Sequence, residues 1–292
     1  MICTRLNGGL GNQLFQYAAG RALAFRLGVE LVLDTSTLRR HNARTTPRIL
    51  ELNRFRHVAK ELPAHESRIL PWLHRLPRFS KCWSPWQVCV ERGTTFQAGF
   101  TSLADQTYLV GYWQSHRYFS EISSQLMSEL QPVDDIGLSS QAIVEQIDSS
   151  ESVALHVRRG DYVSLASAAS FHGVLPLSYY QSALSHLRGQ IIAPKVFVFS
   201  DDSDWCRANL SLESSAVVVD HNTGADAWQD LLLLARCRHH VIANSSFSWW
   251  GAWLADQRQM NMARIVIAPN RWFAHQTDLN LNDRFPAHWV KL

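Results

Sequence analysis

The residues able to do chemistry gather in a few short stretches. His156-Val157-Arg158-Arg159-Gly160-Asp161 sets an imidazole, two guanidinium forks and a carboxylate side by side. Ser200-Asp201-Asp202, Asp220-His221-Asn222, Asn244-Ser245-Ser246 and Pro269-Asn270-Arg271 follow at intervals. Guanidinium forks match phosphate oxygens, although one arginine could instead pair with Asp161. Hydroxyls and free N–H groups at the start of a helix attract anions, and Ser245 and Ser246 stand just before the helix-forming run at Phe247. Either serine alone would read as an ordinary N-cap. Asp201 and Asp202 can only accept, which suits ribose hydroxyls or the N–H edge of guanine, or equally the cap of the next helix. Taken together the set describes a nucleoside diphosphate. A second candidate cradle is the turn Asn7-Gly8-Gly9-Leu10-Gly11-Asn12-Gln13. Gly9 and Gly11 begin a dinucleotide fingerprint, but Leu14 stands where its third glycine should be. Asp34, near the position of a ribose-binding acid, keeps an NAD-dependent oxidoreductase as a distant alternative.

Elements that alternate strand and helix must position these groups. Ile2–Leu6 and Val29–Leu33 read as strands around a helix Leu14–Leu27, with Gly28 at its C′ position. Residues 35–105 carry prolines at 47, 63, 71, 77 and 85 and admit no strand assignment. Tyr108–Trp113 reads as a strand, about Tyr118–Leu130 as a helix, and 131–151 as a linker with a short helix near Gln141–Ile147. In the second half, strands at Val153–Val157, Val196–Phe199, Ala216–Val219, Val241–Ala243 and Ile265–Ala268 alternate with helices at Leu177–Leu187, Asp204–Leu210, Ala225–Cys237 and Phe247–Ala255. This is the pattern of a doubly wound α/β domain. In such sheets ligands bind outside the carboxyl ends of the strands, where all five polar loops fall. The domains expected are 1–135, a linker 136–150, and 151–292.

Composition narrows the class. The chain has 292 residues, 46% apolar and 18% charged, with a net charge of +3. Disorder and coiled coil are excluded, and the charge alone gives no reason to expect a nucleic-acid partner. Residues 54–92 hold eight Lys/Arg against three acids, together with Trp72, Trp83 and Trp86. Such a stretch can lie on an anionic membrane face, and an irregular connection with a solvated basic surface is the plainer alternative. The five cysteines show no CxxC spacing, so no zinc site is expected. With no signal peptide or apolar run of ~18–20 residues, the expectation is a cytoplasmic protein, peripheral on the inner membrane face if 54–92 makes that contact. Eleven tryptophans would suit a non-catalytic sugar-binding module, but Trp249, Trp250 and Trp253 stand at helical spacing and read as core.

Several of these stretches carry a resemblance. Gly8-Gly9-Leu10-Gly11-Asn12-Gln13-Leu14-Phe15-Gln16-Tyr17-Ala18, Gly111-Tyr112-Trp113-Gln114-Ser115 with Tyr118-Phe119, His156–Tyr162, Phe199–Asp202 and Asn244–Leu254 resemble, in the same order, the motifs of the α-1,2-fucosyltransferases, glycosyltransferase family 11. The resemblance implies a GT-B-like α/β fold, with two Rossmann-type domains facing across a cleft: the N-terminal one on the acceptor side, the C-terminal one binding the GDP-sugar. It implies GDP-β-L-fucose as donor, a galactoside-terminated glycan as acceptor, an α-1,2 linkage formed with inversion, and no required metal or other cofactor. Surface-polysaccharide or glycan synthesis would be its setting, and another regiochemistry or acceptor is the nearest alternative. Arg158 would hold the β-phosphate. Gly9, Gly11, His156, Asp201, Asp202, Asn244, Ser245, Ser246 and Phe247 would line the donor, and Arg158, Asn12, His156 and Asp161 would serve catalysis. A base for the acceptor hydroxyl is left open among Asp161, Asp34 and His156.

Overall fold

A computed structural model describes residues 1–38, 48–63, 86–164, 170–171, 173–258, 263–274, 281 and 283–292. The chain divides into two compact units, Met1–Val133 with Leu279–Phe285, and Asp134–Asp278 with Pro286–Leu292. Each is built on a sheet whose pairings are all parallel, which bears out the α/β class.

The first sheet contains β1 (Ile2–Arg5), β2 (Leu31–Asp34), β3 (Lys60–Glu61), β4 (Gln87–Val90) and β5 (Thr107–Val110), in the order β3-β2-β1-β5-β4. Helix α1 (Leu10–Leu27) connects β1 to β2 and ends at Gly28, whose φ of 64° is the left-handed conformation that glycine adopts without a Cβ clash. α1 begins at Leu10, not at Leu14 as expected, so Gly11 and Asn12 lie in its first turn. The cause is non-local: the Glu51 carboxylate accepts the Leu10 N–H at 3.0 Å and satisfies the helix start from forty-one residues away. Short 3₁₀ turns at His116–Tyr118 and Ser120–Ile122 then lead into α2 (Ser123–Glu129). The basic stretch 54–92 falls largely outside the described residues, since 64–85 are not among them. Cys82 lies there too, and Cys89, Cys206 and Cys237 are free thiols.

The second unit begins with α3 (Leu138–Asp148), longer than the short helix expected near Gln141–Ile147 within the linker; Ile143 and Ile147 bury against its sheet. The strands are β6 (Ser152–Val157), β7 (Lys195–Ser200), β8 (Val217–Val219), β9 (His239–Val241), β10 (Val266–Ala268) and β11 (Val290–Lys291). Their order, β11-β10-β9-β6-β7-β8, is 3-2-1-4-5-6 when numbered within the unit and read from β8. The helices are α4 (Gly160–Ser164), α5 (Leu177–Arg188), α6 (Ser203–Asn209), α7 (Trp228–Arg236) and α8 (Ser246–Arg258).

Period-two alternation divides the strands between two cores. Val153, Leu155, Val157, Val196 and Val198 pack against Tyr180, Ala183, Leu184 and Leu187 of α5 and Cys206 of α6. Ala154, Phe197 and Phe199 face Ile143 and Ile147 of α3 and Leu233 and Leu234 of α7. Trp249, Trp250 and Trp253 are core, as their spacing suggests: Trp249 and Trp253 stack at 6.3 Å, and Trp289 of the C-terminal tail packs at 5.6 Å from Trp249. Tyr179 of α5 reaches the carboxyl end of β9, where its hydroxyl donates to the Ile242 carbonyl at 2.7 Å. Tyr179→Phe leaves that buried carbonyl unsatisfied, and a loss of about 1–2 kcal/mol is expected in urea unfolding.

Candidate functional site

Strand order reverses between β6 and β9, and the crevice outside their carboxyl ends is the natural ligand position in a sheet of this order. The loop after β6 carries Arg158 and Arg159, the loop after the adjoining β7 carries Asp201 and Asp202, and Asn244 to Ser246 lead from β9 into α8. Both arginines are fixed across the two loops. Arg158 Nη1 pairs with Asp201 Oδ2 at 2.8 Å, and its guanidinium lies 5.4 Å from the Tyr162 ring centre. Arg159 donates its backbone N–H to Asp201 Oδ1 at 2.8 Å and its Nε to Asp202 Oδ2 at 3.1 Å, while its guanidinium lies 4.1 Å from the Trp205 ring centre. Asp202 also caps α6 through the Trp205 N–H, as its capping reading expected. Gly160 is required here, because a Cβ would run into the Asp201 carboxylate.

The β9 side is joined to this cluster by Tyr162, whose hydroxyl donates to the Asn244 carbonyl at 3.3 Å. Asn244 is buried and holds the loop floor, donating to the carbonyls of Gly173 and Trp272. Ser245 Oγ accepts the Phe247 N–H at 3.3 Å, making it the cap of α8, and Ser246 opens the helix one residue earlier than expected. His156 is the penultimate residue of β6, with its ring centre 5.9 Å from that of Phe247. It is 6% exposed, and its Nδ1 has no hydrogen-bond partner among the described residues. Burial, then the Asp201 carboxylate opposing and the Arg158 guanidinium assisting, lowers its pKa to about 4, so the imidazole is neutral near pH 7.

The remaining polar loops do not join this cluster. Beyond β8, Asp220 pairs with Arg207, while His221 and Asn222 bond to Ser140 of α3. Beyond β10, Arg271 turns back on the Phe273 and Ala274 carbonyls. Neither strand borders the switch point, and both loops serve local packing. Asp161 lies in α4, but its side chain is outside the described part. Gly9, Gly11 and Asn12 belong to the first unit. There Glu51 occupies the start of α1 and the Arg48 guanidinium comes within 3.2 Å of where a Gly9 Cβ would stand, unlike a dinucleotide cradle. Asp34 is fully buried and accepts from the Tyr108 hydroxyl at 2.7 Å and from the Ser36 N–H at 2.9 Å. It is a structural acid, which removes the support for an NAD site and for Asp34 as a base. Sequence reasoning missed Tyr162 and Trp205 as platforms for the arginines. The available signals were Tyr162 four residues after Arg158 and Trp205 three after Asp202. Among the described residues, no cluster of His, Cys, Asp and Glu is placed to hold a metal ion.

Residues 88–292 match the model of glycosyl transferase family 11. The chain belongs to glycosyltransferase family 11. It is 33% identical to an alpha-1,2-colitosyltransferase of Escherichia coli, over the whole chain and 99% of that protein. It is 32% identical to the O-antigen biosynthesis glycosyltransferase WbnK of the same organism, over 92% of this chain and 94% of that protein. A galactoside alpha-(1,2)-fucosyltransferase 1 of Saimiri sciureus is 27% identical over 54% of this chain and 46% of its own length. Fucosyltransferase NodZ from Bradyrhizobium shares the GT-B-like fold, with a TM-score of 0.53 over 87% of this chain and 92% of that one at 16% identity. This family 11 chain is therefore a glycosyltransferase of the fucosyltransferase type. Among its described residues no helix is long and apolar enough to cross a membrane.

Two outcomes follow for the cluster. Gly160→Ala displaces Asp201 from both arginines, and GDP affinity should fall at least tenfold by calorimetry with little change in Tm. Because the folded His156 pKa lies below the ordinary ~6.5, its neutral burial stabilises above that pH and the contribution is lost as pH falls toward 4. Buried His240, lowered to about 3 by burial first, acts in the same direction. His156→Gln should therefore flatten the acid limb of unfolding by on the order of 3 kcal/mol between pH 6.5 and 4.

Proposed function

We propose that this family 11 enzyme transfers L-fucose from GDP-β-L-fucose to the 2-hydroxyl of a terminal galactoside, forming an α-1,2 linkage with inversion and without a required metal. The observation that carries the reading is the pair of arginines locked to Asp201 and Asp202 at the switch point, beside the α8 start. The α-1,2 activities of the relatives support the linkage, and the galactoside fucosyltransferase supports the acceptor class.

In this reading the acceptor oxygen attacks the anomeric carbon as its bond to the diphosphate breaks, and negative charge grows on the β-phosphate. Arg158 is the group assigned to that charge. Its position is set before the donor arrives by Asp201 and the Tyr162 ring, so little reorganisation accompanies the step; a preorganised donor of this kind is worth about 2.7–4 kcal/mol. The α8 N-terminus adds N–H groups at the same edge. Asp201 and Asp202 hold the arginines first, and their remaining lone pairs are available to ribose or guanine. His156, neutral and with an unpartnered Nδ1, lines the donor and is the remaining described candidate to accept a proton. In the first unit, Asn12 is the group on the acceptor side.

A GDP-release assay with GDP-fucose, lactose and EDTA tests the reading, with linkage determined by NMR. Acceptor-dependent release and an α-1,2 product are expected. GDP release that requires added Mn²⁺ would overturn metal independence, and loss of any response to GDP would overturn the donor site. Arg158→Lys keeps the charge but not the fork and should lose most of kcat. Arg159→Ala removes the contacts to Asp202 and Trp205, so its Tm should fall along with its activity. One competing donor has specific support, since the full-length relative is a colitosyltransferase. Colitose is L-fucose without its 3-hydroxyl, and comparing kcat/KM for the two GDP-sugars separates the readings.

A further inference from the structure

Among the described strands, β4 closes one side of the first sheet and pairs with β5 alone. Side chains alternate along a strand, so Gln87 and Cys89 share the face of their β5 partners Thr107 and Leu109. After β4 the chain turns back through a 3₁₀ turn at Ala98–Ser102. A cavity of about 310 Å³ lies between this turn and β4. Phe100, Leu103 and Trp113 supply its apolar lining, and the Phe100 and Trp113 rings pack 5.3 Å apart. Cys89 lines it as a half-buried thiol whose pKa is raised by burial.

Two unanswered donors distinguish this space from a packing defect. Trp113 is fully buried, and its Nε1–H has no hydrogen-bond partner among the described residues. Gln97 Nε2 is also buried without a partner among them, while the Gln97 backbone N–H is taken by the Tyr118 hydroxyl at 3.0 Å. Both residues line the cavity. A buried N–H without an acceptor costs stability, and structures keep such groups where a ligand answers them. Trp113 is also held at a φ of 56°, an uncommon conformation for a bulky residue and one that gathers at ligand clamps. Glu91 fixes that turn by accepting the Tyr112 and Trp113 backbone N–H groups at 2.6 and 3.0 Å. Its carboxylate is thereby committed. Among the described lining residues there is no acid, whereas Arg92 is one of them.

We propose that this cavity binds a monocarboxylate with an unbranched apolar chain of about eight carbons, its carboxylate answering Gln97 Nε2 and Trp113 Nε1 and its chain lying against Phe100 and Leu103. Arg92 supplies the matching charge. A purely apolar occupant would leave both donors unanswered, and a sugar would bring hydroxyls that need acceptors as well as donors. The volume of about 310 Å³ is at the small end of ligand pockets. At the ~30 Å³ that a water takes in the liquid it holds about ten heavy atoms, the number in octanoate. All the lining residues belong to the first unit, and none is part of the arginine cluster.

The test titrates octanoate into the full chain by calorimetry, with octanol as the uncharged comparison. Saturable octanoate binding, about tenfold tighter than that of octanol, is expected. Gly99 lines the cavity, does not take a left-handed φ, and would carry a Cβ with no atom within 4 Å. Gly99→Leu should therefore fill the space with Tm unchanged and octanoate binding lost. Gln97→Leu removes a donor that has no partner in the free protein, so its Tm should hold or rise while octanoate affinity falls about tenfold and octanol affinity does not. Octanoate should also slow alkylation of Cys89 by iodoacetamide severalfold, read at that residue by peptide mass spectrometry, and should give no such protection in Gly99→Leu. GDP affinity should be unchanged in both variants. No saturable octanoate binding, equal affinity for octanol, or octanoate binding that persists in Gly99→Leu overturns the site.

Discussion

A single carboxylate holds the carboxyl edge of the second sheet together. Asp201 stands on the loop after β7, yet its two oxygens fix the loop after β6, one taking the Arg159 N–H and the other the Arg158 guanidinium. Through Arg158 the order passes to Tyr162, and through the Tyr162 hydroxyl to the loop after β9. Three strand ends that are distant in sequence are thus tied by contacts of ordinary strength, each of which would be weak alone at a quarter-exposed surface. Their value lies in geometry: two guanidinium groups are held still at the place where the strand order reverses.

The same arrangement has an electrostatic consequence. Two guanidinium charges are matched by two carboxylates, and His156 is kept neutral by burial. The cluster is not a reservoir of excess positive charge, which agrees with the chain's modest +3. What this edge offers is directed N–H groups and a helix end rather than a broad positive field.

How much could be read from sequence depended on whether structure was fixed locally. The second half was legible because buried parallel strands are apolar runs bounded by polar loops, and β6, β7, β9 and β10 all fall within expected ranges give or take two residues. β3 and β11 were invisible, being two residues each, with Lys60 and Glu61 both exposed; pairing by neighbours makes them strands. The start of α1 was misplaced because its cap, Glu51, lies in a region without periodicity. The arginines and aspartates were found as residue types, but their mutual pairing was not, since it depends on β6 and β7 being adjacent. The loops after β8 and β10 looked equivalent to the others until strand order showed that they stand away from the reversal.

The chain leaves the first unit at Val133, returns to it for Leu279–Phe285, and finishes in the second as β11. The first unit is therefore assembled from two separate stretches of the sequence. Asp283, which accepts from Arg117, and Arg284, which donates to Gln114, are first-unit residues that arrive with the C-terminal segment. Recombination between family members at one point near residue 133 would exchange most of a unit yet strand these two side chains against foreign partners. Exchange of the whole first unit requires two breakpoints, because Leu279–Phe285 belongs to it.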